Sequence, residues 1–300
     1  MVKSISKILL TALSIAIVCF VIGCDFVDLG GLFASHELNE RLGQKNDFKY
    51  FESGAINEDG TTSASYNARN MLFPDEFSFI IMTDTHIEDG NTKDVEKIID
   101  VINEINGNAQ KLDVKFVAIL GDISQNGAEK DIIAATKFMH SLPVPCYPVI
   151  GNHDVYFNNW SEGWGKHIGS TRYRVNGGSV TLFILDSANA FFGKSQIDWL
   201  EKELKTANGT VFVMTHSDLF VQDKIKIQQL YDPAERARVM SLLYNYGKNK
   251  MMLMGHSHER VEKEFGDVRY ISLEDYKDNQ VYMLVTVKNG VISREFYSLK

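Results

Sequence analysis

The sequence predicts an α/β fold of two packed sheets with helices on the outside. Two patterns carry that expectation: apolar runs alternate with helix-period segments up to residue 150, and a series of further strands follows from residue 172. Composition agrees, since 44% apolar and 23% charged residues over 300 positions suit a chain that buries a sizeable core.

Phe77-Ser78-Phe79-Ile80-Ile81-Met82 reads as a buried strand. Val95, Ile98, Ile99, Ile102 and Ile105 then recur at the spacing of one helix face. Val114 to Leu120 is a second apolar strand, followed by a helix with Ile132, Ile133, Phe138 and Met139 inward. Tyr147-Pro148-Val149-Ile150 forms a third, shorter strand. Strand, helix, strand, helix, strand is the pattern of parallel units joined by right-handed crossovers. Later strands are expected at Arg172–Val175, Val180–Leu185, Val211–Met214 and Met251–Met254, with a C-terminal set from Val268 to Tyr297. Two helices interrupt them: one passes through Ile197, Leu200 and Leu204. The other opens at Asp232-Pro233, an N-cap followed by a first-turn proline, and stops at Gly247.

The N-terminus divides the chain further. Lys3 and Lys7 precede an apolar run from Ile8 to Gly23, shorter than a membrane span and with its basic flank on the N-terminal side. The run ends in Val21-Ile22-Gly23-Cys24, which resembles the lipobox of bacterial lipoproteins. Residues 1–23 are therefore expected to be a signal peptide. Acylation of Cys24 would tether the protein to a membrane surface outside the cytoplasm, in the bacterial cell envelope. Residues 24–75 are expected to be a tether with one short helix near His36 to Leu42, and 76–300 the folded domain. Cys146 is then alone in the mature chain, so no intrachain disulfide supports the fold.

Charge narrows the partners. The formal charge is −8, and the leader contributes only Lys3 and Lys7, so the mature chain is more acidic still. An acidic surface repels polynucleotide backbones, which makes nucleic acid a poor partner.

Chemistry appears at the ends of the apolar strands. Asp84-Thr85-His86 follows the first, Gly121-Asp122 the second, and Gly151-Asn152-His153-Asp154 the third. Later strands end at His216 and at Gly255-His256-Ser257-His258. Ligands bind at the carboxyl ends of strands in open α/β sheets, so these five segments are expected to converge. The i, i+2 pairs suggest extended backbone that points both side chains to one face. The glycines permit tight turns and close approach. Asp122 can bridge two cations, one on each carboxylate oxygen. Carboxylate, imidazole and amide ligands without thiolate suit Mn, Fe, Zn or Co. One Asp-x-His alone is usually a turn, but five ordered segments absorb five of the eight histidines. Asp154 either orients the His153 imidazole or binds metal itself, and the first is expected because carboxylates beside metal sites commonly fix an imidazole.

In this order the segments resemble the calcineurin-like metallophosphoesterases, from about Phe77 to Tyr297. The resemblance implies a four-layer α/β/β/α sandwich of two mixed sheets. It also implies two divalent metal ions, one held by Asp84, His86 and His258 and the other by Asn152, His216 and His256, with Asp122 bridging. His153 would contact the phosphate and assist the leaving group. The implied reaction is hydrolysis of a phosphodiester or phosphomonoester by a metal-bridging hydroxide, on a nucleotide, sugar phosphate or lipid headgroup. Within the family the pattern is nearest the cyclic-nucleotide-phosphodiesterase-like branch. Gln125 stands where purple acid phosphatases carry a tyrosine ligand, and the phosphate-gripping arginine of protein phosphatases has no counterpart. A catalytically silent binding module on the same fold is the alternative, and the filled ligand set counts against it. Asn126, Tyr156, Phe157, Trp160, Trp164 and His167 follow motif residues and either line the pocket or pack their loops.

Overall fold

The computed structural model describes residues 37–43, 71–156, 160–220 and 229–300. The leader, Cys24 and Phe157 lie outside them, so the expectations placed there are not addressed by the structure. Among the described residues no helix is long and apolar enough to cross a membrane.

Two mixed sheets form the centre. Strands β1 (Glu76–Met82), β2 (Val114–Leu120) and β3 (Cys146–Val149) run parallel, and β10 (Val281–Lys288) and β11 (Val291–Ser298) add antiparallel, giving the order β11-β10-β1-β2-β3. Pro148 is tolerated because β3 is an edge strand, where a missing N–H breaks no ladder. The second sheet contains β4 (Tyr173–Asn176), β5 (Val180–Ile184), β6 (Thr210–Met214), β7 (Lys250–Met254), β8 (Val261–Phe265) and β9 (Val268–Ser272), in the order β4-β5-β6-β7-β9-β8. Its strands β5, β6, β7 and β9 are parallel.

The pleat of the second sheet decides what each face meets. Leu182, Ile184, Phe212, Met214, Met251 and Leu253 join the core shared with the first sheet, where the Phe79 ring meets Phe212 edge-on at 5.0 Å. The alternate residues Phe183, Val211, Val213, Met252 and Met254 face the other way, onto Ile197, Leu200, Val239 and Leu243. Those four belong to helices Lys194–Leu204 and Pro233–Tyr244, which cover the outer face. Helices Lys93–Asn106 and Glu129–Ser141 cover the first sheet and bury Val95, Ile98, Ile102, Ile105, Ile132, Phe138 and Met139. The result is the expected α/β/β/α layering.

Several sequence expectations are refined. The Asp232 side chain accepts a hydrogen bond from Ala234 N–H at 2.7 Å and caps its helix as anticipated, but that helix ends at Tyr244, before Gly247. Ile133 is only half-buried, and Ala134 and Ala135 take the inward positions instead. Strand β8 carries no apolar run because Val-Glu-Lys-Glu-Phe lies at an exposed sheet edge, where charge protects against further pairing. Within the stretch expected as a tether, residues 37–43 form a helix whose Leu38 and Arg41 are buried. Phe73 stacks on Phe77 in the core.

Candidate active site

Every expected site residue stands just beyond the end of a strand. Asp84 and His86 follow β1, Asp122 follows β2, and Asn152, His153 and Asp154 follow β3. His216 follows β6 and His256 and His258 follow β7, so the two sheets each supply part of one site. Backbone bonds join the loops that carry them: Asp84 N–H donates to Gly121 O (3.1 Å), His86 N–H to Asp122 O (2.9 Å) and Gly255 N–H to His216 O (3.0 Å).

The local backbone differs from the expectation of extended i, i+2 pairs. Asp84 (φ 52°), His86 (φ 45°), Asp122 (φ 48°), His256 (φ 69°) and His258 (φ 54°) are all left-handed. Only eight non-glycine residues among those described adopt positive φ, so the ligand set contains most of them. Such residues cost roughly 1–2 kcal/mol each, and their concentration here is strain held by the surrounding sheets at a functional site. The glycines act through close approach, as expected. A Cβ on Gly151 would lie 2.2 Å from Asp122 Oδ1, and one on Gly255 1.9 Å from Thr83 Oγ1.

Two clusters of ligand atoms result. In the first, His258 Nε2 lies 3.1 Å and His86 Nε2 3.9 Å from Asp84 Oδ1. In the second, His216 Nε2 is 3.2 Å from Asp122 Oδ2, 3.0 Å from Asn152 Oδ1 and 3.0 Å from His256 Nδ1. Asp122 also groups with His86 and His153, which places its carboxylate between the clusters. The sequence did not single out Thr83, whose hydroxyl donates to Asp84 Oδ2 at 2.5 Å, or Asp275, whose carboxylate lies 3.7 Å from His258 Nδ1. Asp275 could have been found by the rule that found the others, since it follows the apolar strand β9.

The donor chemistry fits bound cations. His216 Nδ1–H donates to Leu120 O (2.8 Å), so its neutral tautomer aims a lone pair at two oxygens and another imidazole nitrogen. Such lone pairs repel one another unless a proton or a metal stands among them. Without a metal, burial opposes charge on His216 but the Asp122 carboxylate outweighs it and lifts the imidazole to about 9. Burial also works against the Asp84 and Asp122 carboxylates. The His258 hydrogen bond and the His216 charge nevertheless hold Asp84 well below the usual range, and the His216 charge lowers Asp122. Burial pushes His86 and His256 down to about 4, which keeps both neutral and ready to ligate.

His153 is held differently from the expectation. Its Nδ1–H donates to the backbone carbonyl of Gln125 at 2.7 Å, while Nε2 stands 4.0 Å from Asp122 Oδ2. Asp154 does not touch the imidazole. Its buried carboxylate accepts from the N–H groups of Ile123 (3.3 Å), Ser124 (2.8 Å) and Gly151 (2.9 Å) and from the Ser124 hydroxyl (2.9 Å). It therefore ties the loop after β2 to the loop after β3, and burial followed by the nearby Asp122 charge raises it to about 7. Asp154 is fourth in the Gly-Asn-His-Asp motif, directly after His153, but the turn sends its side chain to Ser124 and Gly151 instead. Of the loop aromatics, Trp160 and Trp164 are buried and pack the loop. Tyr156 is 56% exposed, with its ring 4.5 Å from that of His153. His167 pairs with Glu129 at 2.9 Å, and Asn126 Oδ1 accepts from Ala128 N–H at 3.0 Å.

Fold and site together define a two-sheet α/β protein with a cluster of histidines and aspartates at its strand ends that could hold metal. The chain matches the model of the calcineurin-like phosphoesterases over residues 77–260 and belongs to that family. It is a metal-dependent phosphoesterase. It is 23% identical over 191 residues to a probable cyclic nucleotide phosphodiesterase of Fibrobacter succinogenes, a match covering 62% of this chain and 74% of the relative. A 3′,5′-cyclic-nucleotide phosphodiesterase of Nostoc is 22% identical over 166 residues, covering 53% of this chain and 61% of that protein's length. Among solved structures, a dimetal phosphatase from Danio rerio superposes with a TM-score of 0.53 at 13% identity, covering 75% of this chain and 99% of the other. The Plasmodium inner-membrane-complex anchor GAP50 gives 0.53 at 13% identity, covering 75% and 85%. These two likenesses concern the fold alone.

Proposed function

We propose that the protein hydrolyses a small phosphoester with two divalent cations, drawn from Mn, Fe, Zn and Co. Asp84, His86 and His258 hold one, Asn152, His216 and His256 the other, and Asp122 lies between. The observation that carries this reading is the pair of ligand clusters flanking Asp122, with His153 beside them. Bound there, the cations supply Lewis-acid polarisation of the phosphoryl group and of the attacking water.

The chain's own residues account for the rest. Gln125 O fixes the Nδ1–H tautomer of His153 and leaves Nε2 facing the site. Protonated, Nε2 can donate to the departing alkoxide, a contribution of roughly 10²–10⁴ in rate for a placed general acid. Asp154 keeps the loops of Asp122 and Asn152 in register through its four hydrogen bonds. The two relatives described as cyclic nucleotide phosphodiesterases support a phosphodiester of that class as the first substrate to try. Nucleotides, sugar phosphates and lipid headgroups complete the field, and nucleic acid is disfavoured by the acidic charge of −8. The test is release of p-nitrophenol from bis-p-nitrophenyl phosphate and p-nitrophenyl phosphate with Mn added and then chelated. Metal-dependent release supports the reading, and none from either ester favours a silent module on the same fold.

The proposed setting is the cell envelope, outside the cytoplasm, with the domain tethered through an acylated Cys24. Its support is the basic start, the apolar run and Val21-Ile22-Gly23-Cys24. Metabolic labelling with palmitate checks it: label on the wild type and none on Cys24→Ala agrees, and equal label on both contradicts it.

A further inference from the structure

One cation stands at the rim of the site without a role in the ligand set. The short helix Tyr276–Asn279 lies directly on the loop of the first ligands: Tyr276 N–H donates to Thr83 O (2.9 Å) and Lys277 N–H to Asp84 O (3.1 Å). From that position the Lys277 side chain reaches across to Gln125, where Nζ donates to Oε1 at 2.8 Å. Gln125 is also the residue whose carbonyl holds His153 Nδ1 at 2.7 Å, and its own N–H donates to Ile87 O at 3.0 Å. The lysine therefore passes over the loop carrying Asp84 and His86 and ends beside the support of His153.

Its partner is a neutral amide. Among the described residues Lys277 enters no ion pair, whereas Lys250 and Arg41 are tied to Asp267 and Asp186. An exposed ammonium held by one amide hydrogen bond gives up that bond readily to an anion.

We propose that Lys277 is a specificity-determining contact for the phosphoryl charge, exchanging Gln125 for a non-bridging oxygen of the substrate. A single positive charge attracts a dianion about twice as strongly as a monoanion at equal distance. Lys277 thus favours phosphomonoesters and free phosphate over monoanionic diesters. The inference rests on the phosphoesterase site proposed above.

The experiment uses the full-length protein loaded with Mn and compares wild type with Lys277→Met, Lys277→Gln and Lys277→Arg. Calorimetry reads the affinity for inorganic phosphate, and kinetics read KM and kcat for p-nitrophenyl phosphate and bis-p-nitrophenyl phosphate. Lys277→Met and Lys277→Gln are expected to weaken phosphate binding about five- to tenfold, between the contribution of an exposed ion pair and that of a charge-assisted hydrogen bond. KM for the monoester rises by a similar factor and for the diester by less, with kcat within about threefold, and Lys277→Arg stays near wild type. Unchanged phosphate affinity in Lys277→Met, or wild-type behaviour of Lys277→Gln, overturns the inference, as does a wild type that binds no phosphate. A wild type that binds phosphate through Lys277 but cleaves neither ester overturns instead the hydrolase reading of the site.

Discussion

Arg41 and Asp186 stand 145 residues apart in sequence and meet as a buried, two-point ion pair, Nε to Oδ2 at 2.7 Å and Nη2 to Oδ1 at 2.9 Å. Beside Asp186, the Ser187 hydroxyl accepts from Thr215 Oγ1 and from Ser217 N–H, both at 2.8 Å, and those residues flank His216. A segment ahead of the catalytic motifs is thereby fastened to the loop that shares the crest with a proposed metal ligand.

Removing one partner of a buried pair strands the other, at a cost of about 3–5 kcal/mol. Arg41→Ala is expected to lower stability by that order in denaturant unfolding, and Arg41→Met combined with Asp186→Asn by less. A protein beginning at residue 76 should be similarly weakened. Unfolding midpoints equal to wild type for Arg41→Ala and for the shortened protein would contradict this role.

Gly121 combines a φ of +93° with a position where a Cβ would lie 2.4 Å from His216 Nδ1. Gly121→Ala is expected to destabilise by about 2 kcal/mol or more and to displace the His216 ring. Zinc titration followed by calorimetry should show one weakened site per chain. Two unaltered sites would rule the clash out.

Asp154 holds two loops rather than His153. Asp154→Ala is expected to lower the melting temperature by several degrees through its orphaned N–H groups, each lost partner costing about 1–3 kcal/mol. His153→Ala should instead leave the melting temperature within a degree or two and lower turnover by about two orders of magnitude or more. The reverse pattern, with Asp154→Ala stable and inactive, would restore the orienting role.

His140 gives a pH test away from the ligands. Burial lowers its imidazole from the ordinary 6.5 to about 4, so the unfolded chain takes up a proton more readily than the folded one. The stability this neutral histidine contributes is complete above pH 6.5 and falls away between there and about 4. His140→Gln should flatten the loss of stability across that interval, as measured by urea midpoints at successive pH values. An identical slope in the variant would count against the assignment.

The strand ends were legible because each apolar run stops at a chemically distinctive residue, and Phe77–Met82 or Val114–Leu120 cannot be mistaken for surface segments. β8 was not legible, since an edge strand of Val-Glu-Lys-Glu-Phe has no apolar face to announce it. Nor was the left-handed backbone at Asp84, His86, Asp122, His256 and His258, because φ depends on the crossing of loops from two sheets. The partner of Asp154 was misread for the same reason: a sequence neighbour of His153 points to Ser124 and Gly151 once the turn closes. Arg41 and Lys277 were silent, as their partners Asp186 and Gln125 are 145 and 152 residues distant.

The central claim is that seven side chains hold two metals that the reaction requires. Elemental analysis of the purified protein, paired with ester hydrolysis before and after chelation, tests it most directly. The expected result is close to two divalent metals per chain, activity abolished by the chelator and restored by Mn, and both metal content and turnover sharply reduced in His216→Ala and Asp122→Asn. A protein that retains hydrolysis after its metals are stripped, or whose Asp122→Asn variant turns over at the wild-type rate, would contradict it.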